Sequence, residues 1–259
     1  MPPTLVTSVD GTSIAVRVAG RGAPLVLLHG ICADATSWLP VAGLLKDHYT
    51  VHSVDRRGRA GSGDGTHHSL DLEVEDLLAV LGLFDTPVPV LAHSYGATVT
   101  VLAAARTEAI SRVVAYEPLL LPVGGSLTAV ADRIDFYVEQ QNRDRALTYI
   151  LEQFAMPGLV DRIRAIPVAW ELLMQNIHTV SRELRSLVGV NRRLDDLHAV
   201  ECPVRLLAGT SSIPEFRASA RAAVERLPSG ELIVLQGQNH FATLVAPHLI
   251  ANEVLDSVS

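Results

Sequence analysis

Short apolar runs recur along the chain at residues 24–28 (Pro-Leu-Val-Leu-Leu) and 88–92 (Val-Pro-Val-Leu-Ala), and at 204–208 (Val-Arg-Leu-Leu-Ala) with Arg205 as the one polar residue. Runs of this length without polar alternation predict strands buried on both faces, the habit of a parallel sheet. Residues 51–54, 112–116 and 232–235 give weaker signals of the same kind. Residues 5–7 and 14–18 flank Asp10-Gly11 and predict a hairpin. Between the runs, apolar residues fall at helical spacing over 38–47, 70–83, 95–106 and 215–226, with a last helix after Phe241.

The rhythm changes from about Pro122 to Val200. No buried-strand run occurs there; the segment predicts several amphipathic helices carrying Phe136, Tyr137, Phe154, Met156, Trp170, Leu173, Met174 and Ile177 on their apolar faces. Strand and helix alternation on both sides predicts an α/β fold: a mostly parallel sheet covered by helices on both faces. The expected division is a core of residues 1–121 and 201–259 and an all-helical lid of residues 122–200. Such a lid would lie over the carboxyl ends of the strands, where open α/β sheets bind ligands.

Composition narrows the partners. The chain has 259 residues, 48% hydrophobic and 19% charged, which suits a packed core rather than disorder. A net charge of -7 disfavours nucleic acid and anionic membrane surfaces as partners. The start, Met1-Pro2-Pro3-Thr4, lacks the basic and apolar regions of a signal peptide, and no apolar run has membrane-spanning length. With only Cys32 and Cys202 as thiols, the expected setting is cytoplasmic and reduced.

The chemistry concentrates at Leu91-Ala92-His93-Ser94-Tyr95-Gly96-Ala97, between a predicted buried strand and a predicted helix. This is the small-x-Ser-x-Gly pattern in which a sharp turn raises a serine hydroxyl at a helix N-terminus. Ala92 stands where glycine is usual. The alternative reading of Ser94 is a plain helix cap. A nucleophilic serine needs a base, and His240 sits on a glycine-bearing loop, Gly237-Gln238-Asn239-His240, after the last strand. His93 is expected to point away from the pocket, and His29 to shape the loop at Gly30. An acyl-transfer intermediate needs N–H donors. Tyr95, directly after the nucleophile, and Ile31, in the loop His29-Gly30-Ile31-Cys32, are the candidates. Arg56, Arg57 and Arg59 read as a solvated loop, with Asp55 fixing it. Trp38 reads either as a pocket wall or as a helix anchor.

His29-Gly30, Asp55-Arg56-Arg57-Gly58-Arg59-Ala60-Gly61-Ser62-Gly63, the Ser94 elbow, Tyr116-Glu117-Pro118 and Gly237-Gln238-Asn239-His240 follow one another in the order seen in the α/β-hydrolase fold superfamily. Over essentially its whole length the chain resembles the bacterial capped serine hydrolases of that superfamily. The resemblance implies a core sheet of about eight strands, a lid inserted after the sixth, and a Ser-His-acid triad. It departs from the usual pattern at the acid. The expected aspartate position, after the strand at 204–208, is Ser212. Glu117, directly after the strand at 112–116, is the replacement assigned here. Glu215 is the alternative, although the first turn of a helix favours an acid for its dipole alone; a dyad without an acid is a third arrangement.

The expected activity is therefore hydrolysis of a carboxylic ester, lactone or thioester of a small hydrophobic substrate through an acyl-enzyme on Ser94. No metal and no organic cofactor is implied, and the expected assembly is a monomer or homodimer. The rival readings are a C–C bond hydrolase or a biosynthetic cyclase using the same residues, and a non-catalytic ligand receptor on the same scaffold.

Overall fold

The computed structural model describes residues 2–121, 126–154 and 158–256. Met156 and the start of the helical segment at Pro122 lie outside them. Eight strands form one sheet: β1 (Thr4–Thr7), β2 (Ser13–Gly20), β3 (Ala23–Leu28), β4 (Tyr49–Asp55), β5 (Val88–His93), β6 (Ile110–Tyr116), β7 (Val204–Gly209) and β8 (Gly230–Leu235). Their order is β1-β2-β4-β3-β5-β6-β7-β8. β1 and β2 form the predicted antiparallel hairpin, β2 runs antiparallel to β4, and every later pairing is parallel. The central runs are apolar because both faces are covered: Leu25, Val26, Leu27, Val90 and Leu91 are at most 1% exposed.

On one face lie α2 (Leu70–Leu81), α3 (Tyr95–Ala104) and α9 (Pro214–Val224), whose Val74, Leu77, Val99, Phe216 and Ala220 join Val26, Val90 and Val113 in one core. On the other face lie α1 (Leu39–Leu45) and α11 (Pro247–Leu255), packed around Leu27, Val51, Leu91 and Val114. Trp38 is 1% exposed in that second core, which settles it as an anchor for α1. The helix expected over 38–47 is shorter: a 3-10 turn, Ala35–Trp38, precedes α1, with Pro40 in its first turn. The expected last helix is two, α10 (Ala242–Val245) and α11. Ala246 leaves helical geometry at φ -140°, ψ 52°, and Pro247 restarts the helix.

Between β6 and β7 run α4 (Leu127–Glu139), α5 (Arg143–Phe154), α6 (Leu159–Arg164), α7 (Pro167–Gln175), α8 (Val180–Ser186) and a 3-10 stretch, Val190–Ala199. Trp170, Leu173 and Ile177 are buried in a core of their own with Val130, Ile134, Leu147 and Leu184. Cys32 of the main body joins that cluster. Phe136 departs from expectation: it is 51% exposed.

The arginine loop after β4 also departs from expectation. Arg56, Arg57 and Arg59 are 2%, 0% and 1% exposed. The carboxylates that make this burial tolerable come from distant elements. Glu73 on α2 takes Arg56 at 2.6 Å, and Asp76 takes Arg57 at 2.6 Å. Glu183 on α8 accepts from both Arg56 and Arg59, the latter at 2.6 Å. A buried guanidinium needs such partners, and here they also tie the helical segment to the sheet. Asp55 fixes the loop, accepting the Gly61 N–H at 3.2 Å and the Ala35 N–H at 2.9 Å.

Candidate active site

The parallel strands end on one side of the sheet, and four of these ends bring a candidate segment to the same place. The loop His29–Cys32 follows β3, Ser94 follows β5, Glu117 follows β6, and the loop carrying His240 follows β8. The adjacency β5-β6-β7-β8 sets these last three side by side although they span 146 residues.

Ser94 has φ 55° and ψ -122°, a region that side-chain-bearing residues avoid. Its N–H donates to the Tyr116 carbonyl at 2.8 Å, and its carbonyl accepts from Thr98 at 3.1 Å. The turn is tight enough that a Cβ on Gly96 would lie 2.6 Å from the Leu28 carbonyl oxygen and closer still to that of His29. Gly96 is therefore the obligatory small residue, and Ala92, fully buried between β3 and β6, is accommodated. Among the described residues, Cys32, Ser94 and Glu117 are three of five non-glycine residues with positive φ. Backbone strain thus gathers at this spot, the pattern expected of a functional site.

His240 Nε2 lies 3.0 Å from Ser94 Oγ, and its Nδ1 lies 2.6 Å from Glu117 Oε2. Glu117 is fully buried, and its other oxygen accepts the Gly209 N–H at 2.8 Å. Gly209 is needed bare, because a Cβ would run into the Gln238 backbone on the loop that presents His240. The His240 ring lies flat against Phe216, with centroids 4.2 Å apart and planes 7° apart. Glu215, on the first turn of α9, makes no hydrogen bond or ion pair with His240. Ser212, where the resemblance led an aspartate to be expected, is a buried hydroxyl.

Ile31 and Cys32 border the pocket on the side of β3. Tyr95 is the first residue of α3, so its N–H has no partner one turn back in the helix. His29 donates from Nδ1 to the Gly30 carbonyl at 2.9 Å and accepts the Arg56 N–H at Nε2, 3.2 Å. Burial first, then the charges of Arg56 and Arg59, hold its pKa well below the usual histidine value, so it is a neutral strut. Burial raises the Cys32 thiol to about 12, which keeps it an uncharged wall.

His93 departs from expectation. It borders the pocket, and its Nε2 donates to the His240 carbonyl at 2.9 Å. The serine turn directs residue 94 upward but leaves residue 93 at the end of β5, level with the loop from β8. The sequence signal that went unread was the histidine itself, a hydrogen-bonding residue at the end of an otherwise apolar strand.

A narrow pocket opens beside Ser94 and His240. Its walls are Ile150, Leu151 and Phe154 of α5, Leu173 of α7, and Leu119, Phe216 and Phe241 of the main body. Among the described residues, no arginine or lysine borders it. Among the described residues, no cluster of histidine, cysteine and acidic side chains is placed to hold a metal ion, and no helix is long and apolar enough to cross a membrane.

A family model described as the alpha/beta hydrolase family matches residues 25–253. The chain is 24% identical over 238 residues to the (E)-2-((N-methylformamido)methylene)succinate hydrolase of Acinetobacter baylyi, covering 89% of this chain and 88% of that one. Among solved structures, an alpha/beta hydrolase from Sphaerobacter thermophilus superposes with a TM-score of 0.86 at 28% identity, over 99% of this chain and 100% of that one. The esterase RhEst1 from a Rhodococcus species superposes with a TM-score of 0.78 at 25% identity, over 100% and 98% of the two chains.

Proposed function

This chain belongs to the alpha/beta hydrolase family and is a hydrolase, and from that premise we propose that it cleaves a carboxylic ester, lactone or thioester through an acyl-enzyme on Ser94. The observation that carries this reading is the continuous line Ser94 Oγ, His240, Glu117, with contacts of 3.0 and 2.6 Å. In the first half-reaction Ser94 Oγ attacks the carbonyl carbon while His240 Nε2 takes its proton. Glu117 holds the proton on Nδ1 and offsets the imidazolium charge. The oxyanion is received by the N–H groups of Ile31 and Tyr95, the latter at the positive end of α3. The tetrahedral species collapses as His240 returns the proton to the leaving oxygen or sulfur. Water then repeats the sequence on the acyl-enzyme, releasing the acid and restoring Ser94.

The helical segment between β6 and β7 acts, in this reading, as a lid domain spanning residues 122–200. Its Ile150, Leu151, Phe154 and Leu173 form the apolar roof over Ser94. The substrate it favours is small and uncharged near the scissile bond. The Acinetobacter relative's name carries a succinate, but a carboxylate in this pocket would meet no arginine or lysine among the described residues, at a cost of several kcal/mol. The test is turnover of p-nitrophenyl esters from acetate to octanoate beside a hemisuccinate ester. The reading expects short to medium neutral acyl groups to be cleaved at least tenfold faster than the hemisuccinate, and equal or better cleavage of the charged ester refutes it.

A further inference from the structure

Residues 93 and 94 are neighbours in the chain, and both reach residue 240. Ser94 Oγ meets the His240 imidazole at 3.0 Å, and His93 Nε2 meets the His240 main-chain carbonyl at 2.9 Å. One strand end thus grips His240 at two points, side chain and backbone, from across β6 and β7. A carbonyl only accepts, so the His93 nitrogen facing it carries the proton. Burial first, then the neighbouring His240, holds the His93 pKa well below the usual histidine value, so the ring is neutral with Nδ1 bare.

The His93 ring is itself held. It stacks on Tyr116 with centroids 5.7 Å apart and tilts against His240 at 4.6 Å. Its Nδ1 edge faces Gly30, where an added Cβ would lie 3.2 Å from Nδ1 and 3.0 Å from the Ser94 Cβ. The Tyr116 hydroxyl in turn donates to the Asn239 carbonyl. Two successive carbonyls of the 239–240 loop are therefore anchored by side chains from two adjacent strands, β6 and β5.

We propose that His93 is a positioning residue: its Nε2–H sets the main chain of His240 at a fixed distance from the end of β5, and so sets base against nucleophile. This rests on the reading of Ser94 as nucleophile and His240 as base. His240 must address in turn the Ser94 hydroxyl, the leaving group and the attacking water, and a shift of about 1 Å in such a constellation costs roughly 100-fold in rate. Phe216 and Glu117 fix the ring's plane and one edge, while the His93 contact fixes the backbone from which the ring hangs.

The test compares three variants. In His93→Gln the side-chain amide nitrogen reaches close to the lost Nε2, in His93→Asn it stops near Nδ1, and His93→Leu has no donor. With p-nitrophenyl butyrate, His93→Leu and His93→Asn are expected to lower kcat by about 10- to 100-fold with KM within about threefold, and His93→Gln to recover kcat to within about fivefold of the unmodified enzyme. Labelling of Ser94 by a fluorophosphonate should slow in the same order, with thermal unfolding followed for each variant. A role confined to stability would lower the melting temperature without separating Gln from Asn in kcat. Equal impairment of Gln and Asn, or an Asn variant as fast as the unmodified enzyme, overturns the proposal, as does failure of all three to fold. Should only the Leu variant fail to fold, the Gln–Asn pair decides. Ser94→Ala, measured alongside, tests the underlying reading separately: turnover surviving in it would defeat that reading however the His93 variants rank.

Discussion

Glu117→Gln is the sharpest perturbation of the acid position, because the structure leaves the amide no comfortable orientation. The carboxylate serves two donors, His240 Nδ1 at 2.6 Å and the Gly209 N–H at 2.8 Å, and is fully buried. Glutamine has one acceptor oxygen. If that oxygen keeps Gly209, the amide NH₂ faces His240 Nδ1 and drives the proton onto Nε2, where it blocks uptake of the serine proton. If the oxygen turns to His240, the NH₂ faces the Gly209 N–H, and a buried donor goes unmet at about 1–3 kcal/mol. Either way the charge that steadies the imidazolium is gone, worth about another 1.5–3 kcal/mol for a charge-assisted hydrogen bond. The total of roughly 2.5–6 kcal/mol corresponds to about 10²- to 10⁴-fold in kcat, at about 1.4 kcal/mol per tenfold. KM should change little, because Glu117 does not border the pocket. The assay is steady-state hydrolysis of p-nitrophenyl butyrate, with Glu215→Gln expected within about threefold of the unmodified enzyme. A Glu117→Gln enzyme within tenfold in kcat, or a collapse in Glu215→Gln instead, refutes the reasoning.

Glu183→Ala should destabilise the fold by about 3–5 kcal/mol in chemical denaturation, because it leaves the buried Arg59 guanidinium without a carboxylate and leaves Arg56 with Glu73 alone; a loss under 1 kcal/mol would contradict this. His29 and His93 are both held neutral, their folded pKa values lying below the ordinary 6.5. As the pH falls below about 6.5 the unfolded chain takes up protons that the folded one refuses, so stability declines by about 1.4 kcal/mol per pH unit for each histidine. Above that pH neither contributes; denaturation midpoints flat from pH 7.5 to 5 would disprove the assignment. With its thiol raised to about 12, Cys32 should resist a disulfide reagent at pH 8 in the native protein and react only after unfolding in guanidinium; rapid native labelling of Cys32 would count against it.

The strands were readable because burial on both faces writes itself into single residues: each central strand is an apolar run bounded by turns. Ser94, Glu117 and His240 were readable as candidates because the first two directly follow a strand and the third lies on the loop after one, so chain order alone places them on one edge of the sheet. Helix ends were less legible, since Ala246 and Pro247 divide the last helix by backbone geometry that no periodicity carries. Contacts between remote segments left no local trace. The burial of Arg56, Arg57 and Arg59 depends on Glu73, Asp76 and Glu183, the last more than 120 residues away. The stacking of Phe216 on His240 and the grip of His93 on the His240 carbonyl are of the same kind. Within the helical segment, amphipathic spacing separated inside from outside but could not tell which inside residues turn toward Ser94.

The most direct test of the central claim is the intact mass of the protein after treatment with a fluorophosphonate, followed by peptide mapping. A single adduct on the peptide bearing Ser94, lost in Ser94→Ala along with ester turnover, is the predicted result. No adduct, or an adduct elsewhere with Ser94→Ala still turning over, would contradict the claim that Ser94 is the nucleophile.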